Sequence, residues 1–198
     1  MFLISSPRTA STLWCAIHAD TELDDRLSTK LATGLYNREI FDCSWYTQQT
    51  VNERFEIYKS MTPRPLIKVF PGMTPNHIVE WLLDNEQAVW LERRDRLEQI
   101  LSWGMCSYTR KWNTKRDKVD DHSLVYLKPD FDFITSVIAE YDRFKLAYKP
   151  DEVVYAEDII SMPKPDWKSY PQANGEINKL RFFYNWAEIV RWYNETSA

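Results

Sequence analysis

Phe2-Leu3-Ile4-Ser5-Ser6-Pro7-Arg8-Thr9-Ala10-Ser11-Thr12-Leu13 is the stretch on which the reading of this chain turns. Phe2–Ser5 is a short strand candidate, Pro7 and its polar neighbours form a turn, and a helix is expected from Ser11 to about Asp20. Strand, turn and helix in that order form the unit from which parallel α/β sheets are built. The same order makes an anion site. Backbone N–H groups at a helix N-terminus point outward, and the helix dipole favours negative charge there. Ser11 and Thr12 add hydroxyl donors, and Arg8 adds a planar cation suited to phosphate. The residues read equally well as an ordinary N-capped helix with Arg8 on the surface, because Ser and Thr are common caps.

The rest of the chain repeats the alternation. Leu66–Phe70, Ala88–Leu91 and Val153–Tyr155 are further short apolar strand candidates. Helical patterns cover Gln48–Lys59, a stretch opened by Thr74-Pro75, a stretch capped by Asp95 and running to about Trp112, Phe131–Tyr148 and Ile177–Tyr193. Residues 113–130 and 161–175 read as loops. Short buried strands between helices predict a mostly parallel central sheet covered by helices on both faces, a three-layer sandwich in one domain over residues 1–198.

Composition narrows the function. The chain has 198 residues, a formal net charge of −4 and only 4 glycines. The glycine-rich dinucleotide and nucleoside-triphosphate loops are absent, so a phosphate loop here is built without glycine. The acidic balance argues against a nucleic-acid partner. No apolar run approaches a membrane span, and Met1–Ile4 lacks the basic start of a signal peptide. Cys15, Cys43 and Cys106 are widely spaced and odd in number, which fits a reducing, cytoplasmic setting with buried thiols. No His/Cys cluster suggests a metal.

A second anion site is suggested by Arg94 and Ser102, eight residues apart. On a helix that spacing puts both on one side, just over two turns apart. The plainer reading is a salt-bridged surface helix in which Glu92, Asp95 and Glu98 pair with the arginines. From Glu92 to Lys118 there are eight basic residues against four acidic ones, consistent with a small polyanion bound by an acidic protein.

These motifs together resemble the sulfotransferases that use 3′-phosphoadenosine 5′-phosphosulfate (PAPS). Pro7-Arg8-Thr9-Ala10-Ser11-Thr12-Leu13 is similar to their 5′-phosphosulfate loop, with Ala10 where the family has glycine. Arg93-Arg94-Asp95-Arg96-Leu97-Glu98-Gln99-Ile100-Leu101-Ser102 resembles the 3′-phosphate segment, above all that of the bacterial trehalose- and Nod-factor-type branch. Val153-Val154-Tyr155-Ala156-Glu157-Asp158 is similar to a later strand end of the family. The resemblance covers residues 2–160 and implies a P-loop-type fold. It also implies Arg8, Thr9, Ala10, Ser11, Thr12, Leu13, Arg94 and Ser102 as nucleotide-binding residues.

Sulfuryl transfer needs a base for the acceptor hydroxyl, in-line placement and a stabilised leaving phosphate. Pro63-Arg64-Pro65-Leu66-Ile67-Lys68-Val69-Phe70-Pro71 resembles the family segment that carries a catalytic His, but Phe70 stands in its place. Gly34–Phe41 resembles the Glu-bearing segment of other branches, which makes Glu39 the expected base, with Glu22 and Asp42 as weaker candidates. Glu39 reads equally as an exposed partner of Arg38 or Lys30. Lys68 and Arg8 are expected to stabilise the leaving group, although Lys68 reads as readily as an ordinary strand-end lysine. His18, His77 and His122 are read as structural or surface residues. Trp112, Trp167 and Tyr170 are candidate contacts to a small-molecule, carbohydrate or peptide hydroxyl acceptor. A P-loop-type ATP-dependent kinase and an inactive nucleotide-binding module are the competing readings.

Overall fold

In a computed structural model of the chain, the described residues are 1–19, 23–27, 38–109, 125–161 and 183–197. They form two compact units. The first takes in Met1–Arg94 and Tyr141–Ser169, the second Asp95–Glu140 and Tyr170–Ala198.

The first unit is built on four strands, β1 (Phe2–Ser5), β2 (Ile67–Val69), β3 (Ala88–Glu92) and β4 (Glu152–Tyr155). They are all parallel and lie in the order β2-β1-β3-β4. The alternation in the sequence therefore leads to an α/β fold with a parallel sheet. The central β1 pairs Leu3 with Lys68 on one side and with Val89 on the other. Phe2, Leu3 and Ile4 are fully buried, as the interior strand of a parallel sheet requires. Each such side chain contributes about 2 kcal/mol of burial free energy.

The helices of this unit are α1 (Ser11–His18), α2 (Gln48–Ser60), α3 (Asn76–Asn85) and α6 (Ala156–Ser161), with the last turns of α5 (Lys128–Tyr148). In α2, Thr47 caps the start by accepting from Thr50 N at 3.2 Å, and Val51, Phe55 and Tyr58 are buried. That i, i+4, i+7 spacing makes one apolar stripe. Phe41 meets Phe55 and Tyr58 edge-on, at 5.8 and 5.7 Å between ring centroids. Pro75 occupies the cap position of α3 with ψ 136° rather than its first helical turn, so that helix starts one residue later than the proline suggests.

The second unit contains α4 (Arg96–Thr109), the start of α5 and α7 (Trp186–Ser197). Its core gathers Ile100, Leu101, Met105, Tyr126, Phe131, Ile134, Phe183 and Ile189. Tyr126 is fully buried, with the Phe183 ring at 5.0 Å and its hydroxyl donating to Ile100 O at 3.3 Å. Asn185 brackets the Tyr126 backbone: its Oδ1 accepts from Tyr126 N at 2.9 Å and its Nδ2 donates to Tyr126 O at 2.8 Å. Gly104 of α4 is forced by this packing, because a Cβ there would lie 1.8 Å from Tyr126 Cε2.

Two expectations need correction, and a third holds. The loop read over 113–130 ends earlier, since Tyr126 is core and α5 begins at Lys128. The closing helix expected over Ile177–Tyr193 is not helical at 183–185 and is described as Trp186–Ser197, where Asn185 provides the carbonyl that receives the first helical N–H groups; residues 177–182 lie outside the described residues. Asp95 does cap α4, accepting from Glu98 N at 2.8 Å, and the helix is described to Thr109.

Candidate functional site

The strand order places the site. After β1 the chain goes to β2 on one side, and after β3 it goes to β4 on the other. The connections diverge from the carboxyl ends of two neighbouring strands, and such a switch point leaves a crevice where open α/β sheets bind ligands. The loop at the end of β1, residues 6–10, and the Arg93-Arg94 pair at the end of β3 flank it.

The loop has an unusual backbone. Arg8 has φ 67° and Ala10 has φ 59° and ψ 25°, with Thr9 between them. Such alternation turns successive N–H groups toward one concavity, the arrangement called an anion nest. Thr9 Oγ1 donates to Ser6 O at 2.8 Å and locks the turn, and both residues are buried. Ala10 O then accepts from Trp14 N at 3.0 Å, which starts α1. Arg93 NH1 donates to Arg8 O at 3.4 Å and ties the loop to the end of β3. Ser5 Oγ is buried at the end of β1 with no hydrogen-bond partner among the described residues.

Three candidate side chains from distant segments meet beside this loop. Lys68 Nζ of β2 lies 2.6 Å from Glu39 Oε1 and donates to Thr12 Oγ1 of α1 at 3.0 Å. Lys68 is 6% exposed and Glu39 16% at the side chain, so the pair is largely removed from water. The backbone explains the meeting. Lys68 N donates to Arg38 O at 3.0 Å, and Arg38 NH1 donates to Leu66 O at 2.6 Å, which straps the segment bearing Glu39 along β2. Burial holds the Arg38 guanidinium below its ordinary pKa.

Asp42 follows one turn after Glu39, with Asp42 N donating to Glu39 O at 3.4 Å. Its Oδ1 accepts from Ser44 N at 2.7 Å and from Ser44 Oγ at 2.6 Å. Burial nonetheless pushes its carboxyl above the usual carboxylate range. Cys15 of α1 is pushed up to about 11 by burial and is a protonated thiol at neutral pH. The Phe70 ring centroid lies 5.5 Å from Lys68 Nζ.

At the other end of the crevice, Arg94 makes a two-pronged pair with Asp158 of α6, NH1 to Oδ1 at 2.7 Å and NH2 to Oδ2 at 2.8 Å. Ser102, the other half of that motif, belongs to the second unit and is buried as the seventh residue of α4. Gln99, one turn earlier, is fully buried and accepts from Arg96 NH1 at 3.1 Å. The bond from Arg93 to the loop, the Arg38 strap, the orphan hydroxyl of Ser5 and the Asp158 fork are features that the sequence reading missed. Only Asp158 carried a local signal, as part of the strand-end motif.

His18 lies with its ring 4.5 Å from Trp14, and His77 meets Phe55 edge-on at 6.1 Å. Glu22, His122, Trp112, Trp167 and Tyr170 lie outside the described residues. Among the described residues no group of three or more His, Cys, Asp or Glu is placed to hold a metal, and no helix is long and apolar enough to cross a membrane. No protein-family model and no curated protein matches the chain.

Proposed function

We propose that the protein is a cytoplasmic PAPS-dependent sulfotransferase with a three-layer, P-loop-type fold, moving a sulfuryl group to an acceptor hydroxyl. The observation that carries this reading is the Thr12–Lys68–Glu39 chain beside a glycine-free anion loop. A carboxylate, an ammonium and a hydroxyl joined in this way support the roles of base, leaving-group cation and phosphate donor. PAPS would supply an activated sulfuryl group with a good phosphate leaving group. Glu39 takes the proton of the acceptor hydroxyl as its oxygen bonds to sulfur. Lys68 and Arg8 stabilise the charge that builds on the departing phosphate oxygen, and the loop N–H groups with Ser11 and Thr12 hold its 5′-phosphate. Arg94, at the end of β3, is assigned to the 3′-phosphate of the nucleotide.

The test has two readouts. Calorimetric titration of the full chain is expected to show adenosine 3′,5′-bisphosphate (PAP) binding more tightly than ADP; equal affinities would sink the reading. Glu39→Gln is expected to lower kcat for sulfuryl transfer from PAPS to a hydroxyl acceptor about 10²–10⁴-fold while leaving PAP affinity near wild type. Full transfer activity in that variant would remove Glu39 from the mechanism.

A further inference from the structure

Arg94 is held on three sides. Its NH1 and NH2 face the two oxygens of Asp158 at 2.7 and 2.8 Å, its guanidinium carbon lies 3.9 Å from the centroid of the Tyr155 ring, and its backbone N donates to Glu157 Oε2 at 3.2 Å. All four residues belong to the first unit, at the carboxyl ends of β3 and β4. Arg94 and Asp158 remain about half exposed, at 51% and 56% of the side chain. The parallel two-bond fork to a carboxylate is the geometry in which a guanidinium also grips a phosphate. An arginine has a single NH1–NH2 edge. A carboxylate seated on it and a phosphate arriving at it exclude each other, and two anions side by side there repel.

We propose that Asp158 is a built-in competitor for the 3′-phosphate and so a specificity-determining residue. It occupies the edge of Arg94 that the 3′-phosphate would use, and yields it only to a ligand carrying a dianion at that position. The inference rests on the reading of Arg94 as the 3′-phosphate residue. An exposed carboxylate–guanidinium pair is weak, whereas a phosphate monoester brings nearly two charges and three acceptor oxygens. The exchange therefore runs toward phosphate. Tyr155 keeps the guanidinium stacked while its partner changes. A nucleotide without the 3′-phosphate leaves Arg94 on Asp158 and gains nothing from it.

The experiment titrates wild type, Asp158→Asn and Asp158→Ser, each as the full chain, with PAP and with ADP. Both variants are expected to bind PAP about five-fold more tightly than wild type, with ADP affinity unchanged. PAP affinity that is equal or weaker in both variants overturns the inference, and so does an equal gain for both nucleotides, which would be a general charge effect. Either result leaves the sulfotransferase reading standing provided that wild type prefers PAP to ADP. Wild type without that preference overturns the reading and the inference with it.

Discussion

Ala10 holds φ 59° and ψ 25° at the start of α1, a left-handed conformation that an L-residue with a Cβ reaches at a cost of about 1–2 kcal/mol. Ser6 O, Thr9 Oγ1 and Arg93 NH1 are the groups that hold the loop in this shape. Glycine removes the Cβ penalty and returns part of the gain through a freer unfolded chain. Ala10→Gly is therefore expected to stabilise the fold by about 1 kcal/mol, raising Tm by about 2–4 °C in a chain of this size. A lower Tm in thermal denaturation would show that Ala10 is not strained. At the same scale Glu39 and Lys68 were each legible as candidates, but their contact was not. They are separated by α2, whose stripe fixes the helix and not where its flanks meet; the bonds of Lys68 N to Arg38 O and of Arg38 NH1 to Leu66 O bring them together. Thr12 was assigned to phosphate alone, because nothing local announces a lysine arriving from another strand.

Elements with a buried face were readable, and element ends much less so. Strand β1 is a continuous apolar run because its side chains are buried on both faces of the sheet, and the stripe of α2 follows from one face meeting the core. The start of α5 was read too late because Lys128-Pro129-Asp130 looks like loop. Proline is well placed in a first helical turn, where its missing N–H is not needed. The helical pattern of the sequence runs through 183–185, but the described helix α7 starts after them. Asn185 and Glu188, joined side chain to side chain at 3.2 Å, mark it in hindsight. Helix α4 offers a sharper test of packing at Gly104. Added there, a methyl group meets the Tyr126 ring, which is itself fully buried. Overpacking of this kind costs about 1–3 kcal/mol, and better helix propensity recovers at most about 1. Gly104→Ala is expected to lower stability by about 1–2 kcal/mol, read as a lower urea midpoint. An unchanged midpoint would mean that Tyr126 can move aside.

Over the whole molecule, carboxylates pull the pH dependence of stability in opposite directions. Asp42 has a raised native pKa because it is buried. Its contribution is fully present below its unfolded value, about 3.9, and is lost as pH rises through the native value, since the unfolded chain releases the proton first. Asp158 is held low by its hydrogen bonds to Arg94, and Asp24, at about 2, by those to Arg26. Their contributions are present above the unfolded value and are lost as pH falls through the native one. Asparagine mimics the neutral form of Asp42. Asp42→Asn is therefore expected to match wild type near about pH 3 and to exceed it at neutral pH in urea denaturation. Parallel curves across that range would show that Asp42 carries its charge without penalty.

The sheet also sets the timing of assembly. Phe2 pairs with Ile67 and with Ala88, and Val89 pairs with Glu152. No two of the described strands are joined by a short turn, so no hairpin can form early and template the rest. Each pairing waits for the closure of a long loop, whose entropy is spent before any contact repays it. The residues of the anion loop and of Lys68 are brought together only by that closure. The meeting of Lys68, Glu39 and Thr12 beside the loop after β1 is therefore among the later features to appear as the chain folds.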